Sequence, residues 1–354
     1  MNGIRQAYVR PLDLKHGHVE MSHGGGGRAM AQLIDEIFVR AFDNDHLRQG
    51  NDGAVLSMPS GDGGRLVMST DAHVVAPLFF PGGDIGCLAV HGTLNDVAMM
   101  GARPLYLAAS FILEEGLPLA DLKRIVDSMA AAARDAGVPV VTGDTKVVER
   151  GKGDGIFITT TGVGWLSAGL ALSGDRARPG DVILLSGSIG EHGMAIMSQR
   201  ENLAFDAPIV SDTAALHELV AAMLATDAAS GLRCLRDPTR GGLAAGLNEI
   251  AQQSQVGMLL EEAAIPLQPA VAAACEFLGL DPLHVANEGK LLAICAPDDA
   301  ARLLGAMRAH PLGAAAASIG SVQEDAHHFV QMRTSFGGRR IVDWLSGEQL
   351  PRIC

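Results

Sequence analysis

Apolar residues recur at helical spacing in "RAMAQLIDEIFVRAF" (28–42), where Met30, Leu33, Ile34, Ile37 and Phe38 share one stripe. The pattern predicts a helix entered from the glycine-rich loop "SHGGGGR". Farther on, alternation takes over in "GRLVMSTDAHVV" (64–75) and "RPLYLAASFIL" (103–113), two predicted strands with a helix in "DIGCLAVHGTLNDVAMMG" (84–101) between them. A helix over "LADLKRIVDSMAAAARDAG" (119–137) and strands in "VPVVTGDTKVV" (138–148) and "GIFITTTGVGW" (155–165) complete an α/β half. Gly, Pro and charge then cluster in "SGDRARPGD" (173–181), which predicts a boundary between domains 28–177 and 178–345. After the strand "VILLSGSIG" (182–190), a helix is expected over 213–229, a turn and helix over 237–253, and helices near 269–278 and 299–309. Strands are expected at 256–260, 291–296, 316–323 and 328–333. Gly347 and Pro351 discourage a regular element at the end, so 346–354 reads as a flexible tail.

Length agrees with two domains, since 354 residues exceed the roughly 150 of an ordinary one. With 48% hydrophobic but only 4% aromatic residues, the core is aliphatic and few rings are left to stack on bases. The 27 Lys and Arg face 40 Asp and Glu, and the net charge of −13 disfavours nucleic acid and anionic membranes while suiting a site that gathers divalent cations. No apolar run approaches the roughly 20 residues of a membrane span, and "MNGIRQAYVRPLDLKHGHVE" lacks the apolar stretch of a signal peptide, so a cytoplasmic location is expected. Five cysteines without CxxC spacing argue against a disulfide framework and a Cys-type zinc site. Cys87, Cys234, Cys275 and Cys295 lie in apolar or mixed segments and read as small core residues, whereas Cys354 in "PRIC" has no such shelter.

Five aspartates, most of them beside glycines or at strand ends, form a set: Asp52, Asp71, Asp84, Asp96 and Asp144. Without His or Cys partners, such a set suits Mg²⁺ with phosphate oxygens completing its shell, which implies Mg-ATP. Each one taken alone is equally well a turn residue or helix cap. Gly24, Gly25, Gly26 and Gly27 precede a helix and can wrap backbone N–H groups around phosphates, or serve as a plain linker. The chain has no GxxxxGK[ST], so an ordinary P-loop is excluded. His16, His18 and His23 are spread over a polar segment and are assigned no metal.

"NDGAVL", "STDAHVV", "GGDIGCLAVHGTLNDVAMMGARPLYL", "VTGDTKVVE", "DPTRGGLAAGLNEIA", "ANEGKLL" and "PRIC" follow one another in this order. Together they resemble the HypE family of hydrogenase maturation factors, carbamoyl dehydratases within the superfamily of aminoimidazole ribonucleotide synthetase and selenide, water dikinase. The resemblance implies a two-domain α/β homodimer whose N-terminal domains pair strands into a barrel. It implies Mg²⁺ on Asp52, Asp71, Asp84, Asp96 and Asp144, with ATP also bound by Gly24 to Gly27, Asn95 and Asp237. The carbamoyltransferase HypF would load a carboxamide onto Cys354, ATP would turn it into a thiocyanate, and cyanide would pass to iron on the HypC–HypD scaffold. Lys146 and Glu288 are implied as proton-handling residues, with Glu288 favoured as the base because an unshifted lysine is mostly protonated. His91, seven residues after Asp84, is a further candidate at the phosphates.

A selenide dikinase is expected to carry a reactive Cys in its glycine-rich loop, which "SHGGGGR" lacks, and a ribonucleotide synthetase has no use for "PRIC". A noncatalytic nucleotide-binding scaffold is the remaining alternative. The nine residues from Ser346 span roughly 30 Å when extended, enough for one thiol to visit a cleft and leave it.

Overall fold

A computed structural model of the chain describes residues 11–24, 28–44, 63–203, 208–344 and 352–354. Asp52 and Gly25 to Gly27 lie outside these, and Gly24 ends a short 3₁₀ turn. The first predicted helix forms as α1 (Arg28–Leu33), a π-helical stretch (Ile34–Val39) and α2 (Arg40–Phe42). Leu33, Ile37 and Phe38 are buried as the stripe requires, while the side chain of Met30 is outside the described set.

The first half contributes β1 (Arg65–His73), the short pair β2 (Phe79–Phe80) and β3 (Gly83–Asp84), α3 (Ile85–Met99), β4 (Arg103–Glu114), α4 (Leu119–Asp135), β5 (Val140–Val148) and β6 (Ile156–Leu166). Four strands form one sheet in the order β1-β6-β4-β5, antiparallel except for the parallel β4–β5 pair. Helix α3 lies on one face against β1, β4 and β6, and α4 packs on α3. Helix α4 buries Leu122, Ile125, Val126, Met129 and Ala133 at i, i+3, i+4, i+7 and i+11, the spacing of a one-sided helix. Helix α3 is buried on almost every side, from Ile85 through Leu88, Val90, Leu94 and Val97, because a second domain covers what the sheet does not. The other face of the sheet carries Leu66, Met68 and Ile112 as exposed apolar side chains, which share it by register with Trp165, Val163 and Lys146.

The second half contains β7 (Val182–Leu185), α5 (Glu191–Arg200), α6 (His217–Leu224), β8 (Leu232–Arg236), α7 (Gly242–Ser254), β9 (Gly257–Glu261), α8 (Pro269–Leu278), β10 (Leu292–Cys295), α9 (Pro297–Ala309), β11 (Ala317–Gln323), β12 (Val330–Arg333) and β13 (Arg339–Ile341). Its seven strands form one sheet in the order β13-β12-β9-β11-β7-β10-β8. The fold class is thus the expected α/β one. Three expectations change. The helix predicted over 213–229 is only α6, because 211–216 bonds to neighbouring loops and stays outside it. Helix α5 was not foreseen, since it starts at Gly190 with no capping side chain and is buried nearly all round, so it shows no amphipathic period. And Cys354 is sheltered: Ile353 pairs antiparallel with Val75 and is 3% exposed within the first core, which seats the half-buried Cys354 inside the protein.

Where α3 meets α4 there is no room for a side chain at Gly86, whose added Cβ would sit 2.2 Å from the Ile125 carbonyl oxygen. Gly86→Ala is therefore expected to cost about 1–3 kcal/mol and to lower the urea midpoint without altering the slope. An unchanged midpoint would show that the two helices part freely.

Candidate active site

The cleft between the halves closes on a cavity of about 170 Å³ lined by Asp71, Ala72, Gly92, Asp96, Asp237, Thr239, Arg240, Glu288 and Cys354. Five of the sequence candidates meet there: Asp71 from β1, Asp96 from α3, Asp237 after β8, Glu288 before β10, and Cys354. A second cavity of about 450 Å³ shares Asp96, Asp237 and Thr239 with it and continues between Met99, Met100 and Gln253. Gly92 is part of the wall because an added Cβ would come 2.9 Å from His73 Nε2 and 3.4 Å from Asp71 Oδ2.

The tail enters as an added strand. Val74 N–H donates to the Cys354 carbonyl (3.0 Å), and Ala76 N–H to that of Arg352 (3.2 Å), which also accepts from an Arg200 guanidinium nitrogen (3.0 Å). Arg352 itself pairs with Asp154 at 3.2 Å. Burying Ile353 adds roughly 1.5–3 kcal/mol to this seat. The thiol then lies among carboxylates. Burial pushes it well above the ordinary cysteine range, the negative charges of Glu288, Asp71 and Asp237 push the same way, and Arg240 opposes them.

Glu288 is 3% exposed, and its Oε1 has no hydrogen-bond partner among the described residues. Burial first, then the charges of Asp237, Asp212, Asp71 and Asp96, raise its carboxyl well above the carboxylate range. Its loop is fixed by Asp212, which accepts from Glu288 N–H (3.1 Å), Gly289 N–H (3.2 Å) and Lys290 Nζ (2.9 Å). Gly289 is required there, since a Cβ would lie 1.8 Å from the Asp212 carbonyl oxygen. Asn287, fully buried, ties the same loop to Gly190 N–H (2.7 Å) and to the Pro238 carbonyl (3.0 Å). Asp237 is raised to about 7 by burial and by Asp96, and Asp96 is raised by burial although Ser69 Oγ donates to it at 2.7 Å.

The remaining candidates are elsewhere. Asp84 caps α3, accepting from Gly86 N–H (2.7 Å) and Cys87 N–H (3.2 Å), and twelve residues of helical rise put it about 18 Å from Asp96. Asn95 is a strut rather than a nucleotide contact: its carboxamide bonds the Ala214 and Glu288 carbonyls (3.0 and 3.3 Å) and Leu216 N–H (2.8 Å). His91 turns to Thr213 Oγ1 (3.0 Å) rather than into the cavity, five helical positions and hence about 140° away from Asp96. Burial lowers its pKa to about 4. Asp144 and Lys146 pair with each other at 2.9 Å on the exposed edge strand β5. Asp71 shares a register row with Thr160, Ala109 and Gly143, so three strand spacings, about 14 Å, separate it from that edge. Among the described residues no three His, Cys, Asp or Glu side chains form a ready metal site. Arg240, Thr239 and Gly92 were not singled out from the sequence; "DPTRGG" was the only signal for the first two.

Comparison with known proteins decides the family. Residues 50–166 match the AIR synthase related protein N-terminal domain and 178–333 its C-terminal domain. The chain is 71% identical over 351 residues to carbamoyl dehydratase HypE of Cupriavidus necator, covering 99% of each. It belongs to the carbamoyl dehydratase HypE family. Its fold superposes on the crystal structure of the hydrogenase maturation protein HypE in complex with ATP with a TM-score of 0.90 and 52% identity, covering 95% of this chain and 99% of that one. A HypE–HypF complex matches with a TM-score of 0.77 and 49% identity over 88% of this chain and 99% of that one. As in those HypE proteins the architecture is α/β, and no helix among the described residues is long and apolar enough to cross a membrane.

The acidic cavity sets a pH signature. Native Glu288 holds its proton to a higher pH than the unfolded chain does, so stability is intact below the unfolded value near 4.3 and is lost as pH rises toward the folded one. Without nucleotide or divalent cations, Glu288→Gln is expected to melt higher than the parent, by a margin that widens from pH 5 to pH 8. A margin independent of pH would contradict the shift.

Proposed function

We propose that this HypE-family enzyme dehydrates a carboxamide carried on Cys354, at the expense of ATP, with Glu288 as the base, and so makes a thiocyanate for hydrogenase maturation. The observation that carries it is the seating of Cys354 in one cavity with Glu288, Asp71, Asp96 and Asp237.

The amide oxygen is a poor leaving group. It attacks the γ-phosphorus, the bond to the β-phosphate oxygen breaks, and ADP departs. One N–H proton leaves as the C=N bond forms. Loss of the second, as the C–O bond breaks and phosphate carries the oxygen away, completes the nitrile. Glu288 suits the first of these removals, being buried, with an oxygen that has no partner among the described residues, and more basic than an ordinary carboxylate, while the departing phosphate takes up the second proton.

The clustered acids fit a hard cation. Asp71 and Asp96, with Asp237 opposite, share one cavity; the charge of Asp71 raises the pKa of Asp96, and both raise that of Asp237, a repulsion that positive charge relieves. These residues would hold Mg²⁺, which when bound neutralises charge on the transferring phosphoryl group. Asp84 and Asn95 support the site through the helix cap and the Glu288 loop.

The seated thiol is kept protonated, so loading by a HypF carbamoyltransferase takes place with the tail outside, and delivery of cyanide to a HypC–HypD scaffold uses the same exposed position. Lys146 and Asp144 act from a second copy. Among the described residues both edges of the four-stranded sheet, β1 and β5, are unpaired in one chain, and its open face carries exposed apolar side chains. Joining the edges of two copies as a homodimer barrel sets β5 of one beside β1 of the other.

Incubating the S-carboxamide form with Mg-ATP is expected to remove the mass of one water from the C-terminal peptide and to release phosphate, neither of which occurs with Glu288→Gln. Phosphate release that persists in Cys354→Ala would refute a tethered substrate. Mixing Cys354→Ala with Lys146→Ala, each inactive alone, is expected to restore about a quarter of the activity through hybrid dimers. No recovery would place Lys146 outside the partner's site.

A further inference from the structure

Strand pairing with residues 74–76 satisfies the carbonyls of Arg352 and Cys354, but the Ile353 carbonyl points the other way, as alternation along a strand requires. A single side chain receives it. His192 of α5, fully buried, places Nε2 at 2.7 Å from the Ile353 oxygen and Nδ1 at 2.7 Å from Ser211 Oγ. A peptide carbonyl only accepts, so Nε2 carries the proton, Nδ1 holds a lone pair and the Ser211 hydroxyl donates to it. Ser211 Oγ in turn accepts Thr213 N–H at 3.2 Å. Burial holds the imidazole below the usual histidine range, in agreement with this neutral tautomer.

Ser211 is followed by Asp212, the residue that holds the Glu288 and Gly289 N–H groups. Two consecutive residues therefore support the tail on one side and the loop of the base on the other. Their backbone is anchored as well, with Ser211 N–H donating to the Pro81 carbonyl at 2.8 Å.

We infer that His192 is a positioning residue for the dehydration: through the Ile353 carbonyl it sets the depth at which the group on Cys354 faces Glu288, and Ser211–Asp212 makes that depth common to both. Because it grips backbone and not sulfur, the grip is the same whether Cys354 carries a proton, a carboxamide or a cyano group. This rests on the reading of Cys354 as carrier and Glu288 as base.

Two substitutions separate positioning from a mere loss of packing. The amide of glutamine reaches as far as Nε2 and can still donate to Ile353, while that of asparagine reaches only to Nδ1 and keeps the Ser211 contact alone. In single-turnover dehydration of chain loaded beforehand, with excess Mg-ATP, His192→Asn is expected to be about 100-fold slower. His192→Gln is expected within about fivefold of the parent. Loading by a HypF protein from carbamoyl phosphate should stay within about twofold in both. On the unloaded chain, iodoacetamide should label the Cys354 peptide faster in His192→Asn only. Equal losses in the two variants, or losses that track the melting temperature or the loading rate, would overturn the inference. If the loaded parent forms no cyano product, the reaction reading falls, and the labelling contrast still decides whether His192 holds the tail.

Discussion

A carboxylic acid enclosed with no ion-pair partner among the described residues is the constraint around which the site is arranged. Glu288 keeps one oxygen free of hydrogen bonds, and Asp71, Asp96 and Asp237 stand around the same cavity. Burying such a group is unfavourable, and the surroundings are built to enforce it. Asp212 and the half-buried Lys290 grip its loop, Asn287 ties that loop to the start of α5, and Asn95 reaches across from α3 to its carbonyl. Loops from both domains are therefore ordered by one unfavourable placement, and the carboxyl gains basicity in return.

How much of this the sequence discloses depends on how local the cause is. Strand alternation in 64–75 and 155–165 and the one-sided stripe of 119–137 depend on neighbours a few positions away, and these elements form where the pattern puts them. Helix α5 is missed for the opposite reason: enclosed on all sides by tertiary contacts, it leaves no polar face to reveal its period. Residues 213–216 look helical in composition, yet polar groups of 211–216 bind the Glu288 loop, Asn95 and His192, and those long-range bonds keep the segment out of the helix.

The same division runs through the site. Glu288, Asp237 and Cys354 were legible through their motifs, and the cavity unites them. Asp84 shows how one motif letter can hold two meanings: "GGDIG" reads as a ligand or as a cap, and only the helix axis, which carries Asp96 far away, separates the two. His192 is beyond reach from sequence. No spacing relates it to Ile353, 161 positions later, and it is recognised solely because a carbonyl and an imidazole nitrogen meet.

The protonated state of the seated thiol has one more consequence. Peroxide attacks thiolate rather than thiol, and a buried sulfur whose ionisation is opposed by surrounding carboxylates offers it little. The cleft thus shelters the sulfur as well as placing it. While the tail is seated, its sulfur is thereby sheltered from conversion to sulfenic acid.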